Sequence, residues 1–67
     1  MMEIFVNDAP VSCEEGATVS EVLAQEGITP VNIAVAVNEL VVPKSQWEAT
    51  KLTAGARLLV IKAVQGG

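Results

Sequence analysis

The sequence predicts a two-layer α+β domain, with one short helix packed on a mixed sheet in the order β-β-α-β-β-β. Three observations predict it. A complete set of helix start and stop signals lies in the first half of the chain. Apolar, β-prone runs flank it on both sides. The 67-residue length allows one domain, residues 1–67, and no more.

The elements follow in order. Met2 to Asn7 alternates, with Ile4 and Val6 on one face and Glu3 and Phe5 on the other. Asn7-Asp8-Ala9-Pro10 is a cluster of turn residues, and Val11-Ser12-Cys13 completes an N-terminal hairpin. Thr18-Val19-Ser20-Glu21 has the spacing of a capping box, so a helix is expected from Val19 to Glu26. Val19, Val22 and Leu23 form its apolar stripe. Gly27 suits a left-handed cap, and Pro30 blocks continuation. Val31 to Val37 reads as a central strand, with Ile33, Val35 and Val37 on one face and Ala34 and Ala36 on the other. Asn38-Glu39 is a two-residue turn without the usual Gly, and Leu40-Val41-Val42 is the return strand, ended by Pro43. Lys44 to Thr53 is irregular, with room for one helical turn. Thr53-Ala54-Gly55 is a turn, and Arg57 to Val64 is the last strand. The first and last strands are expected to form a parallel central pair flanked by the two hairpins. Gln65-Gly66-Gly67 is expected to be a mobile tail.

Composition narrows the function classes. A chain this short buries only about 60% of its unfolded surface and has little room for a deep active site. The net charge is −4 and the four basic residues are scattered, which argues against nucleic acid. An acidic surface suits a basic protein partner. Cys13 is the single cysteine, so no internal disulfide or Cys-based metal site is expected. No signal peptide and no apolar run near the ~20 residues of a membrane helix is present, so a cytoplasmic protein without membrane contact is expected.

The last strand is apolar on both faces, and the helix covers one of them. Alternation leaves Phe5, Leu59 and Ile61 on the uncovered side, where an exposed apolar patch marks a partner site. The alternative is that the loop around Trp47 packs over that face. Catalytic motifs are absent: there is no histidine, no P-loop and no carboxylate pair placed in one cleft. Glu21 is used by the capping box. Cys13 has no neighbouring base and reads as a small apolar strand residue rather than a nucleophile. Trp47 reads as cover for a core edge before a partner contact. Gly66-Gly67 directly follows a strand and would make a thin thread able to enter a narrow channel and present its carboxylate. A carboxylate is a poor electrophile and needs activation by ATP, which this chain has no visible means of binding. The same glycines also fit a frayed end.

The order of elements ending in Gly66-Gly67 resembles the ubiquitin-like β-grasp sulfur carriers, and among them the thiamine-biosynthesis sulfur carriers, the ThiS family. The likeness spans the chain. It runs through Asn7-Asp8, Gly16-Ala17-Thr18-Val19, Leu23, Val37-Asn38, Val41-Val42-Pro43-Lys44 and Gln46-Trp47. Gln65 departs from the small or apolar residues common at its position. The resemblance implies that the Gly67 carboxylate is adenylated by a ubiquitin-activating-like enzyme, which uses the ATP. It is then thiocarboxylated with sulfur relayed from a cysteine desulfurase, and gives that sulfur to thiazole synthase. It further implies a protein co-substrate rather than an enzyme, with no cofactor of its own. A carrier of the molybdopterin-synthase small-subunit type and a non-covalent interaction module are the alternatives.

Overall fold

A computed structural model of the protein describes residues 1–62. Its strands are β1 (Met2–Val6), β2 (Ala9–Cys13), β3 (Ile33–Val37), β4 (Leu40–Val42) and β5 (Arg57–Lys62), with one α-helix, α1 (Val19–Gln25), and a 3-10 turn at Lys44–Gln46. The strands make one five-stranded sheet in the order β2-β1-β5-β3-β4. β1 and β5 are parallel and the other pairs antiparallel, as the hairpin pattern predicts. No helix among the described residues is long and apolar enough to cross a membrane.

Both hairpins turn on two residues in the left-handed region, Asn7-Asp8 (φ 50 and 69) and Asn38-Glu39 (φ 49 and 72). Such turns match the twist of the strands they join. Asn tolerates this conformation better than most residues, and here it contributes a second function. In the left-handed region its own carbonyl no longer continues the ladder with β5. The side-chain Oδ1 takes that place: Asn7 accepts from the Val60 N–H at 2.8 Å and Asn38 from the Arg57 N–H at 3.0 Å. The backbone N–H of each asparagine also donates to β5, at the Leu58 and Arg57 carbonyls. A glycine would make the turn and lose the bond.

Three boundaries differ from expectation. The first turn is tighter, so Ala9 and Pro10 belong to β2, where Pro10 pairs with Phe5. Proline fits because β2 is an edge strand and no ladder bond is lost. The helix ends at Gln25, with Glu26 as its cap. β3 begins at Ile33 rather than Val31, because Asn32 has a positive φ of 55 and breaks the extended run.

The core lies between the sheet and α1. Ile4, Val35 and Leu58 of the sheet meet Val19, Val22 and Leu23 of the helix. The segment between β4 and β5 closes the same side. Trp47, Leu52 and Ala56 are buried in that core, and the Trp47 Nε1–H donates to the Val42 carbonyl at 2.8 Å. This segment also completes the helix start. The Val19 and Ser20 N–H groups donate to the carbonyls of Thr50 and Trp47. The Glu21 N–H donates to Thr18 Oγ1, while the Glu21 carboxylate accepts from the Thr18 N–H. The first-turn donors of a seven-residue helix are thereby satisfied without water.

Candidate functional site

The helix and the Trp47 segment occupy one side of the sheet, so the other side is bare. Alternation along each strand determines what stands there. β5 contributes Leu59 and Ile61, 49% and 53% exposed, while Leu58 between them and the turn is 2% exposed. β1 contributes Phe5, half-buried. Thus Phe5, Leu59 and Ile61 lie together on the uncovered face, and the alternative of a Trp47 flap over them is excluded.

Pairing brings further residues to this face. Ala36 of β3 lies beside Leu59 on one side and Val41 of β4 on the other, and Ala34 lies beside Ile61. The two alanines are short, so Leu59 and Ile61 stand clear of their neighbours. Val41 is 75% exposed and extends the apolar strip to the edge. Val41 follows from the strand alternation that placed Leu59, once β4 is given a register; without pairing its face was open. Near the hairpin turns the surface dips into a shallow cleft of about 180 Å³ lined by Phe5, Ala36 and Leu59, with Asp8, Glu39 and Arg57 at its rim. The floor is apolar and the rim carries both signs of charge, an arrangement that suits a protein surface better than a small molecule.

The remaining candidates are placed elsewhere. Cys13 is fully buried at the end of β2, and burial pushes its thiol pKa up, which keeps it protonated and unreactive. Trp47 is structural. No group of three or more His, Cys, Asp or Glu side chains is arranged for a metal among the described residues. Gly66 and Gly67 lie outside the described residues.

The model of the ThiS family matches residues 2–67. The chain belongs to the ThiS family. The sulfur carrier protein ThiS of Escherichia coli (strain K12) is 33% identical to it over 66 residues, covering 98% of this chain and all of that one. A crystal structure of a thiamine biosynthesis protein (ThiS) from Geobacter metallireducens superposes with a TM-score of 0.85 at 23% identity, over 98% of this chain and all of that one. The solution structure of a thiamine biosynthesis protein from the same organism gives a TM-score of 0.75 at 25% identity, over 98% and 88% of the two chains. The fold is therefore the ubiquitin-like β-grasp fold of the ThiS family. The Asn-to-Trp stretch that carried the resemblance, Asn38 to Trp47, forms the second turn, β4 and the segment that closes the core.

Proposed function

We propose that this chain is a cytoplasmic sulfur carrier of thiamine biosynthesis whose working group is the Gly67 carboxylate. The observation that carries the reading is the ThiS-family match, which runs through residue 67 and includes the Gly66-Gly67 pair. The name of the Escherichia coli relative supports it.

In this reading the chain is a co-substrate and its partners do the chemistry. An adenylating, ubiquitin-activating-like enzyme binds ATP and the carrier together. A carboxylate oxygen of Gly67 attacks the α-phosphorus, pyrophosphate leaves, and an acyl-adenylate forms. The terminal sulfur of a persulfide relayed from a cysteine desulfurase attacks the carbonyl carbon and AMP leaves, giving an acyl disulfide. A thiol then attacks the outer sulfur of that S–S bond, leaving the thiocarboxylate on Gly67 and carrying the persulfide's thiol away as a disulfide. Thiazole synthase then takes that sulfur for the thiazole ring. Gly66 and Gly67 carry no side chain to obstruct a narrow channel. The chain's folded body provides the grip. Phe5, Leu59 and Ile61 dock on the partner and thereby convert a free carboxylate into a positioned one.

The test is the intact mass after incubation with ATP, a thiamine-pathway adenylating enzyme and a sulfur source. The expected gain is replacement of one oxygen by sulfur, mapped to Gly67. Deleting Gly67, or appending one residue after it, is expected to abolish the gain and leave the thermal melt unchanged. A variant extended beyond Gly67 that still acquires sulfur would overturn the reading. So would activation of the native chain only by the adenylating enzyme of the molybdopterin pathway, in favour of that pathway.

A further inference from the structure

The core thins at the end of the sheet where β5 leaves it. Along the helix side of β5, Leu58 is buried, Val60 packs at the margin of the core, and Lys62 is exposed. Lys62 pairs with Ile33, the first residue of β3, which is itself only partly buried. Between this end of the sheet and the segment that follows α1 runs an open groove of about 410 Å³. Ile28, Val31 and Ile33 make it apolar, Gly27 lies at its side, and Lys62 is the only charged residue that lines it. Val31 is 58% exposed there. The groove is preformed by its own backbone. The Gly27 and Ile28 N–H groups donate to the Ala24 and Leu23 carbonyls of the helix, at 3.1 and 2.9 Å, and the Val31 N–H donates to the Thr29 carbonyl at 2.8 Å.

We infer that this groove is the seat of the chain's own Val64, which anchors the root of the C-terminal segment and leaves Gln65-Gly66-Gly67 as the free thread. Lys62 already stands in the groove, and the period of two along an extended chain returns the second residue beyond it, Val64, to the same side. Continuing the register of Ile33 with Lys62 by two residues sets Val64 opposite Val31, the exposed apolar residue of the groove. Asn32, left-handed at φ 55, interrupts the strand between them, so the seat is made by side chains rather than by ladder hydrogen bonds. The composition of the last five residues matches this division. Ala63 and Val64 are apolar, whereas Gln65-Gly66-Gly67 has no apolar side chain to bury. Tethering favours this occupant over a separate molecule. Two residues span at most about 7 Å, so Val64 is held beside the groove at an effective concentration of about millimolar or above. The consequence for function rests on the carrier reading, in which Val64 is a positioning residue. It sets where the thread begins, and so its extended length of about 10 Å. It also orders Ala63 and Val64 before a partner is met, which lowers the entropy cost of binding.

The test is NMR of the full chain over a range of concentrations. Contacts from the Val64 methyls to Ile28 and Val31 are expected, with fast amide motion on the ps–ns timescale confined to residues 65–67. Val64→Ser is expected to shift the amides of residues 27–33 and to extend the fast motion back to residue 63, while Val64→Ile preserves the contacts. These readings involve no enzyme, so they decide the docking even if Gly67 proves not to be the working group. With the adenylating enzyme, Val64→Ser is expected to raise the KM for the chain about three- to tenfold at unchanged kcat, and Val64→Ile to bring it back. Fast motion running without a step from residue 63 to residue 67, with no contact to Val31, would overturn the inference. Groove shifts that appear only as concentration rises would overturn it too, in favour of a second copy. An unchanged KM for Val64→Ser would overturn the positioning role.

Discussion

Leu58 and Leu59 are neighbours in one strand, identical in chemistry and opposite in condition: one is 2% exposed and the other 49%. The same division runs across the whole sheet. On the covered side, Ile4, Val35 and Leu58 meet a helix and the segment around Trp47. On the bare side, Phe5, Leu59, Ile61 and Val41 meet water. The difference teaches that apolar character determines which residues can be buried, while the number of layers determines which are. This chain has enough helix for one face. The second face is apolar without a layer of its own, and it is the face proposed above to dock a partner.

The comparison can be broken most forcefully at the leucine pair. Leu58→Ala empties a site in the core and is expected to cost about 2–5 kcal/mol of stability, a large share of what so small a domain possesses. Leu59→Ala is expected to cost less than about 0.5 kcal/mol. On the carrier reading proposed above, Leu59→Asp is expected to keep the fold and to lower affinity for the adenylating partner by about 2 kcal/mol. Urea melts and a binding titration separate the two faces. If Leu58 and Leu59 substitutions proved equally destabilising, the bare face would be covered in solution.

A smaller effect is expected at the turns that hold both faces in register. Asn7→Gly keeps the left-handed turn but orphans the Val60 N–H, and Asn38→Gly does the same to the Arg57 N–H. Each is expected to cost roughly 0.5–1.5 kcal/mol, and amide exchange at Val60 or Arg57 should quicken selectively. Unchanged exchange would show that water replaces Oδ1 without loss.

The smallest effect is a pH dependence on the covered side. Burial raises the Cys13 thiol above its ordinary value of 9.0. Above that value the unfolded chain loses the proton and the folded chain keeps it. Stability is thus complete at lower pH and declines as pH rises from 9.0 toward the raised value. Cys13→Ala should remove this part of the slope, as melts below and above that value would show.

Much of this architecture is written locally. Thr18 and Glu21 form the capping box at the expected spacing, and Gly27, with φ 70, ends the helix where a left-handed residue is needed. The strand alternation that assigned Leu59 and Ile61 to the bare face depends only on the period of two. The misplaced boundaries arise where a single backbone angle decides. Asn32 looks extended by composition and is left-handed in fact, and Pro10 reads as a turn residue until β2 is known to be an edge. Trp47 carried no directional signal, because the side on which a loop packs is a tertiary property. The role of Val41 needed a partner strand to give it a register. Asn38 did leave a trace, the missing glycine of its turn, but reading it requires β5 to be in place; Asn7 left none, because its turn read as a four-residue cluster. Gly66 and Gly67 were singled out by their chemistry alone.

The position of β5 has a consequence for how the molecule comes into being. It is the last of the five strands to leave the ribosome, and it joins β1 to β3 in the middle of the sheet. Until it emerges, the nascent chain holds two separate hairpins, each too small to persist alone. A copy whose translation stops before residue 57 has no seam to close. It remains open to proteolysis, and the cell's pool of folded protein is drawn from copies whose synthesis has passed that strand.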